Sequence, residues 1–484
     1  MIEERRGEQQ EEHWEPTTFT VPSTWAQIPV AQAFEPISVN NKKIPTKDYL
    51  ENGLLPVVDQ SRSFISGYTD KLDSAIDPAE DGVIVFGDHT RVFKRVNFPF
   101  APGADGIKVL RPRLTTSAYA YYACLSLRFP NKGYSRHYSF LSKCAFPVAP
   151  AREQERIVSK IDELFSRIQE GERALERVQT LVERYRQSVL KAAITGELTR
   201  AWRQERRGQV ESGEALLGRI LQARRAAWEA AELERMRVRG VTTKGDSWKQ
   251  KYKEPVAPDT SGLPEGWVRV TIEHIAECLD NSREPVSATV REGRQGAIPY
   301  YGANGQVGTI DDYLFDEPLV LVVEDETFTG RTKPFSYKIE GRSWVNNHAH
   351  VLRPTGAVLI DFLHAMLARY PFIPLTTGTT ARRKLTQKAL MSAPIAIPGL
   401  AEQAAIVAQL NQAECSAIPL LREALRSAAA VPALRQSVLR SAFAGELVPQ
   451  DPTDEPASVL LERIVAERAT APVPKRRQRK AHQS

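Results

Sequence analysis

A segment of thirteen residues near the middle of the chain is repeated near its end. Residues 186–198 (RQSVLKAAITGEL) match residues 435–447 (RQSVLRSAFAGEL) at an offset of 249 residues, and nine of the thirteen pairs are identical. Chance alone would give about one identity in such a stretch. The same offset places Glu153-Gln154 on Glu402-Gln403. The chain is therefore a duplicated unit of about half its length, which predicts a pseudo-twofold internal repeat.

The composition is typical of a globular protein with several domains. Of the 484 residues, 42% are hydrophobic and 26% are charged. No apolar stretch approaches the ~18 residues needed to cross a bilayer, and the first residues are charged, so we expect a cytoplasmic protein without a membrane partner. The four cysteines form no CxxC pair, which predicts reduced thiols. A net charge of +6 is compatible with a polyanionic partner but does not demonstrate one.

Two long helices are predicted around the repeated segment. From residue 154 to 193 apolar residues recur at spacings of three and four, which indicates a helix of about 60 Å with one narrow seam, ended by Gly196. The bulky first seam comprises Ile157, Ile161, Leu164, Ile168, Leu175, Val178, Val182, Tyr185 and Val189. The offset gives a second seam of smaller residues, namely Ile406, Leu410, Ala413, Ala417, Leu420, Ala424, Ser427, Val431, Leu434, Val438 and Ser441.

Because bulky side chains pack well against small ones, we expect these two helices to pair with each other. The alternative is that each seam docks only on its own globular domain. Pro419 and Pro432 are expected to kink the second helix or to split it into segments.

Each helix is preceded by a block rich in β-branched runs, glycines and turns. The blocks open alike, with Pro22-Ser23-Thr24-Trp25 in the first and Pro264-Glu265-Gly266-Trp267 in the second. Residues 81–88 parallel 318–325, and 109–112 parallel 351–354, as buried strands. We therefore expect two mixed α/β domains that share a strand framework. Two dissimilar domains on one scaffold suit a ligand with two dissimilar halves.

The order of these pieces resembles the specificity (S) subunit of type I restriction–modification systems. The resemblance extends from Val21 to about Arg468. It rests on the paired Pro-x-x-Trp openings, the segments 301–305, 345–352 and 377–380, the Glu-Gln helix starts and the Gly-Glu-Leu helix ends. It implies an α+β fold in which two target recognition domains are separated by two long helices that pack antiparallel as a coiled-coil spacer. The implied regions are an N-terminal extension (1–20), the first recognition domain (21–149), the central spacer helix (150–200), a helical region and linker (201–261), the second recognition domain (262–398), the second spacer helix (399–448), a C-terminal helix (449–470) and a basic disordered tail (471–484).

The resemblance also implies a function and partners. Such a chain is not an enzyme; it binds a bipartite sequence in double-stranded DNA and positions two modification subunits, which are adenine methyltransferases, with restriction (translocase) subunits as further partners. S-adenosylmethionine, ATP and Mg²⁺ would belong to those partners, and this chain would hold no cofactor. The residues expected at the helix and subunit interface are Glu153, Gln154, Ile157, Ile161, Leu164, Ile168, Gly196, Glu197, Leu198, Glu402, Gln403, Ile406, Leu410, Gly445, Glu446 and Leu447.

Candidate DNA contacts are basic or polar side chains near Gly- and Thr-rich turns. In the second block they are Asn304, Arg331, Lys333, Thr379, Arg382, Arg383, Lys384 and Lys388. The last four follow a polar loop and are expected at the start of a helix, where backbone N–H groups and guanidinium groups can hold phosphate. Asn304 either reads an adenine edge or adopts a left-handed backbone conformation in its turn. The first block lacks both the Gly-Ala-Asn-Gly segment and the Thr-Gly-Thr-Thr loop, and its candidates are Arg91, Lys94, Arg95, Arg136 and His137.

Sequence motifs for catalysis or metal binding are weak. His348 and His350 resemble a His-x-His metal pair, but alternation along a strand favours a structural pair, so no metal site is predicted. There is no G-x-x-x-x-G-K-[ST] or G-x-S-x-G motif, and Asn97-Phe98-Pro99-Phe100 matches the Asn-Pro-Pro-Tyr/Phe motif of amino-methyltransferases only in part. Two alternatives stay open: a self-contained adenine-N6 DNA methyltransferase with degenerate motifs, and a coiled-coil scaffold that never binds DNA.

Overall fold

The computed structural model describes residues 14–103, 106–130, 135–240, 245–254, 258–326, 328–331, 333–378 and 383–470. The chain divides into two compact units. The first unit comprises residues 1–176 and 424–484, and the second unit comprises residues 177–423. No described helix is long and apolar enough to cross a membrane. The predicted basic tail lies outside the described residues.

The first domain is a mixed fold of short strands and helices. Its strands are β1 (Ala26–Pro29), β2 (Phe34–Ile37), β3 (Leu55–Val58), β4 (Gly67–Thr69), β5 (Val83–Gly87), β6 (Phe93–Val96), β7 (Ala101–Pro102), β8 (Ile107–Pro112) and β9 (Ala145–Val148). Its helices are α1 (Val30–Ala33), α2 (Ser117–Ser126) and α3 (Tyr138–Leu141). The sheets have the orders β2-β8-β5-β6, β4-β3-β7 and β1-β9.

Helical sequence connects the two domains. The long helix α4 (Ala151–Ile194) carries Glu153 in its first turn, where a carboxylate interacts favourably with the helix dipole. Gly196, two residues after the end of this helix, has a φ of 73° and so takes the left-handed conformation that commonly closes a helix. The helices that follow are α5 (Arg200–Glu205) and α6 (Gly213–Val238).

The second domain repeats the architecture of the first. Its strands are β10 (Val268–Thr271), β11 (Ala276–Cys278), β12 (Ile298–Gly302), β13 (Gly305–Ile310), β14 (Phe315–Asp316), β15 (Leu319–Val323), β16 (Asp325–Glu326), β17 (Ser336–Ile339), β18 (Arg342–Val345), β19 (Ala349–Pro354), β20 (Thr377–Gly378), β21 (Arg383–Lys384) and β22 (Pro394–Ile397). Its helices are α7 (Ile272–Ile275), α8 (Ala288–Glu292), α9 (Ile360–Ala368) and α10 (Gln387–Met391). The chain then forms the long helix α11 (Leu400–Phe443) and α12 (Ala457–Thr470).

The two domains share one sheet topology. The sheet β11-β19-β15-β17 repeats β2-β8-β5-β6, and β13-β12-β18 repeats β4-β3-β7, including the parallel pairing of its last two strands. The register corrects one sequence expectation. Ile84 pairs with Leu110, and Val320 pairs with Leu352, so Ile84 corresponds to Val320 and not to Leu321. Strands buried on both faces show no alternation that would fix their register in the sequence.

The two long helices pair within each unit, as the sequence predicts. In the first unit Arg435 of α11 lies 2.6 Å from Glu172 of α4, and in the second unit Arg186 of α4 bonds Glu414 of α11. In the first unit residue 156 pairs with 454 and residue 172 with 435, so the segments run antiparallel. The alternative reading also holds in part, because the seam residues at each helix start join the core of the adjacent domain.

Several details of the seams differ from the prediction. Tyr185, Leu420 and Leu434 are about half exposed, whereas Ala417, Ala424 and Val431 are buried as expected. A straight helix of 3.6 residues per turn drifts away from a strict 3.5-residue repeat, which moves some positions out of the seam.

The prolines do not split the second helix. Helix α11 is continuous from Leu400 to Phe443, and Pro419 and Pro432 both lie on its exposed face. The carbonyl groups that lose a hydrogen-bond partner there can be hydrated, and packing of the opposite face maintains the helix.

Candidate nucleic-acid interface

Loops of the second domain converge at one edge of its sheets, which we call the second loop edge (301–305, 324–326, 346–348 and 383–385). Glu324 follows β15; its N–H donates to His348 O at 3.0 Å, and its carbonyl accepts from Leu385 N at 2.8 Å. The N–H of Asn346 donates to Tyr301 O at 3.0 Å. Backbone hydrogen bonds therefore hold these four segments side by side.

The first domain builds the same edge from different residues; we call the segments 59–66, 88–92, 103, 106 and 135–138 the first loop edge. Asp88 follows β5; its N–H donates to Gly106 O at 2.6 Å, and its carbonyl accepts from His137 N at 2.8 Å. Gly103 N donates to Val58 O at 2.8 Å. These bonds correspond one to one with those of the second loop edge, although the side chains differ. Asp88 thus occupies the place of Glu324, and both are buried.

A buried ionic network supports the second loop edge. Arg283 lies 2.6 Å from Glu324 and 3.2 Å from Asp280, and His350 lies 2.5 Å from Asp280. Burial would raise the pKa of Asp280, but the hydrogen bond and charge of His350, the Val351 N–H and the Arg283 charge outweigh it and hold the pKa below its usual range. The pKa of Glu324 is lowered in the same way against the effect of burial.

Lys384 is the solvent-facing member of this network. Its ammonium group lies 3.1 Å from Glu324, while its side chain stays 58% exposed. The carboxylates of Asp280 and Glu324 are therefore charged at neutral pH and paired with cations. The ion pair between Lys384 and Glu324 holds strand β21 at the second loop edge.

The same cluster is a poor metal site. Cys278, Asp280 and His350 present three potential ligand atoms within 4.8 Å of one another. However, both ring nitrogens of His350 are engaged, one by Asp280 and the other by the Leu385 carbonyl at 2.8 Å. Burial and the charge of Asp280 raise the pKa of Cys278 to about 12, whereas metals bind the thiolate. His350 is a structural residue, and His348 lies in the preceding turn, where it bonds Asp325.

A second repeated feature lies at the helix ends, and we call it the helix-end node. In the first unit the indole N–H of Trp25 donates to Glu153 at 2.9 Å; in the second unit Trp267 donates to Glu402 at 3.1 Å. Burial raises the pKa of Glu153, against the hydrogen bonds from Trp25 and Gln450.

The remaining node residues are also paired by the repeat. Gln154 and Gln403 each bond the carbonyl five residues earlier, at 2.9 and 3.0 Å. Gly196 and Gly445, both left-handed, pack against Pro264 and Pro22. The motifs that the sequence duplicates therefore meet in each unit.

The other predicted interface residues differ in exposure. Ile157, Ile161 and Ile406 are buried, and the half-buried residues are Leu164, Ile168, Leu198, Leu410 and Leu447. Glu197 and Glu446 are exposed, although they are identical in the two repeats. The exposed pairs Gln187/Gln436 and Ser188/Ser437 are identical as well. Core packing does not explain identity at exposed positions, so these positions indicate a surface used twice.

Known proteins match the chain in the regions just described. The family model for the type I restriction modification DNA specificity domain matches residues 264–422. A type I restriction enzyme specificity subunit of Haemophilus influenzae is 35% identical over 143 residues, covering 29% of this chain and 35% of that relative. The StySPI specificity subunit of Salmonella potsdam is 23% identical over 501 residues, covering 95% of this chain and 99% of that protein. Over most of its length the chain is similar to type I restriction–modification specificity subunits, and residues 264–422 match the DNA specificity domain of that family.

A solved structure supports the fold of this chain. A chain from a study of assembly and conformational transition of the type I R-M system covers 89% of this chain and is itself fully covered, with a TM-score of 0.54 and 17% sequence identity. At that identity the likeness concerns the architecture alone.

The predicted DNA contacts of the second domain have varied surroundings. Asn304 is exposed at the tip of the β12–β13 hairpin, and the left-handed residue of that turn is Gly305, with a φ of 110°. The side chains of Lys333, Lys384 and Lys388 are exposed. Thr379 and Arg382 lie outside the described residues.

Two arginines of the second domain are tied to nearby backbone. Arg331 donates to Pro334 O at 2.8 Å, and Arg383 donates to Ile373 O at 3.3 Å and also to the Thr376 hydroxyl at 3.1 Å. Arg383 and Lys384 form β21 rather than a helix start, because α10 begins only at Gln387 behind its N-cap Thr386.

Two of the DNA contacts predicted in the first domain are wrong, because their side chains are buried. Lys94 is 4% exposed and His137 is fully buried, so neither side chain is available to touch DNA. Arg136 is exposed; Arg91 is half-buried and donates to Pro130 O, and Arg95 is half-buried and donates to Ser117. Sequence reasoning missed Asp88 and Glu324, which organise the two loop edges. Their only signal is their position directly after the most apolar strand of each domain.

Proposed function

We propose that this chain binds a bipartite target in double-stranded DNA, with one loop edge for each half of the target. The observation that carries the proposal is that the same hydrogen-bonded edge is built twice, from loops that differ in length and side chains. A common framework with divergent loops suits two readers of different sequences. Loops on a rigid scaffold are the usual place for recognition residues.

Each loop edge would enter a major groove, where base pairs present distinct donor and acceptor patterns. In the second domain the amide of Asn304, at an exposed hairpin tip, can bond an adenine edge. The exposed ammonium groups of Lys333, Lys384 and Lys388 would contact phosphates and fix the position of the domain on the duplex.

Modification subunits would bind at the helix-end nodes, one for each repeat. The exposed residues that are identical in the two repeats support this, because two copies of one partner need two copies of one surface. Those subunits would carry S-adenosylmethionine and flip out the target adenine. Restriction subunits would join the same complex and supply ATP-dependent translocation with Mg²⁺.

A methyl-transfer assay tests the proposal. The full chain, the accompanying modification subunit and their mixture are incubated with DNA and labelled S-adenosylmethionine. We expect transfer only by the mixture, together with sequence-dependent retardation of DNA. Transfer by the chain alone would favour a self-contained methyltransferase. The absence of sequence-dependent retardation, even with the modification subunit present, would favour a coiled-coil scaffold that never binds DNA.

A further inference from the structure

The first domain lacks the Gly-Ala-Asn-Gly segment, but its topology shows what replaces it. Strand β3 pairs antiparallel with β4 and parallel with β7, as β12 does with β13 and β18. The bond from Gly103 N to Val58 O matches the bond from Asn346 N to Tyr301 O. The residues after Val58 therefore take the place of the turn at Asn304. The second domain has a two-residue connection there, whereas the first domain has the longer loop 59–66.

A buried lysine holds this loop in place. The ammonium group of Lys94 donates to the carbonyl oxygens of Asp59 and Ser63 at 2.7 and 2.6 Å. The carboxylate of Asp59 accepts from Ser61 N at 2.8 Å and from Ser66 Oγ at 2.5 Å. Burying an ammonium group is costly unless its donors are satisfied. The loop supplies these acceptors at its start, from Asp59, and at its middle, from Ser63, so it is held in one conformation.

The held loop exposes an unusual set of side chains. Phe64 is 47% exposed and Ile65 is 37% exposed, and Arg62 beside them is exposed as well. The ring of Phe64 rests edge-on against Phe98 with centroids 6.0 Å apart, so its outer face stays open. A guanidinium next to apolar groups matches the major groove, where arginine reads guanine and apolar side chains contact the thymine methyl group.

We propose that residues 61–65, which we call the tip loop, form the element of the first domain that reads bases. Arg62 and Phe64 are the contact residues, and Lys94 is a positioning residue that acts through the backbone of the loop. The inference rests on the proposed function and adds to it the element that determines one half of the target.

The test uses the complex of the full chain with its modification subunit and enriches bound DNA from a random pool. Arg62→Ala and Phe64→Ala should each relax base preference within the same half of the target, by on the order of 10- to 100-fold at the affected positions. The other half should keep its preference, and Asn304→Ala should relax that other half instead. Leu54→Ala is the matched control, because Leu54 is 73% exposed at the opposite end of β3 and should change neither half.

Lys94→Met separates positioning from contact. It removes the ammonium group but fills a similar volume, and we expect the same half of the target to lose preference while the other half is unaffected. Unchanged preference in Arg62→Ala and Phe64→Ala would overturn the proposal. So would equal weakening of both halves, or loss of modification-subunit binding without a change in base preference. If the unaltered complex enriches no bipartite sequence, the proposed function itself fails, which is a separate outcome.

Discussion

Replacing Gly445 with alanine should destabilise the first unit by about 2–5 kcal/mol, because the helix-end node leaves no room for a side chain. Gly445 has a φ of 74°, and a left-handed backbone costs an ordinary residue about 1–2 kcal/mol. An added Cβ would lie 2.3 Å from Cγ and 2.5 Å from Cδ of Pro22. The proline ring cannot rotate away, and such overpacking typically costs about 1–3 kcal/mol.

The assay is urea unfolding of the full chain, followed by a signal from each unit. Gly171→Ala is the control, since Gly171 lies inside α4 with no atom within 4 Å of an added Cβ, and it should stabilise by about 1 kcal/mol. Gly196→Ala should affect the second unit, because its Cβ would lie 2.7 Å from Pro264 Cγ. A Gly445→Ala chain that unfolds within about 0.5 kcal/mol of the natural chain would refute the duplicated node.

Three further predictions follow from the structure. Pro432→Ala should stabilise the first unit by about 1–3 kcal/mol in thermal or urea unfolding, because it restores a helix hydrogen bond on the exposed face of α11; a loss of stability would contradict the continuous helix. The pKa of Asp280 is held below its usual value of 3.8, so its contribution is present above that value and is lost as pH falls through the lower folded-state pKa. The unfolding midpoint of the second unit should therefore drop between about pH 5 and pH 2, and Asp280→Asn should flatten this dependence; an equally steep profile in the variant would exclude the network as its cause. Lys333→Ala and Lys388→Ala should each lower the slope of log K against log salt by about 0.9 in the DNA complex, whereas Lys253→Ala in the linker should leave it unchanged; an unaltered slope would remove that lysine from the phosphate contacts.

The sequence predicts the helix-end nodes well, because each node is built from residues that are identical in both repeats. The offset of 249 relates Glu153 to Glu402, and the shared Pro-x-x-Trp openings relate Trp25 to Trp267. The hydrogen bonds that join each tryptophan to its glutamate are seen only in the structure. The periodicity of apolar residues likewise predicts the two long helices, and the positions of Gly196 and Gly445 predict where they end. The structure confirms the α+β class and the pairing of the two long helices.

The loop edges could not be derived in this way, because their likeness lies in backbone hydrogen bonds and not in side chains. Asp88 and Glu324 differ in type, and the loops that surround them differ in length. Lys94 illustrates the limit of reasoning from residue type: a lysine in a strand predicts a solvated cation, whereas carbonyl groups of a distant loop make its burial possible. Asn304 is the opposite case, in which a residue with a possible backbone role has an exposed side chain. The neighbouring Gly305 takes the left-handed conformation of the turn, and the amide of Asn304 is exposed.

A genome-wide map of N6-methyladenine tests the central claim most directly. Cells that express the modification subunit are compared with and without this chain. We predict one bipartite motif, with two specified segments separated by a fixed number of unspecified base pairs, that is methylated only when the chain is present. Methylation of the same sites without the chain, or of a single uninterrupted motif, would contradict the assignment of two separate readers.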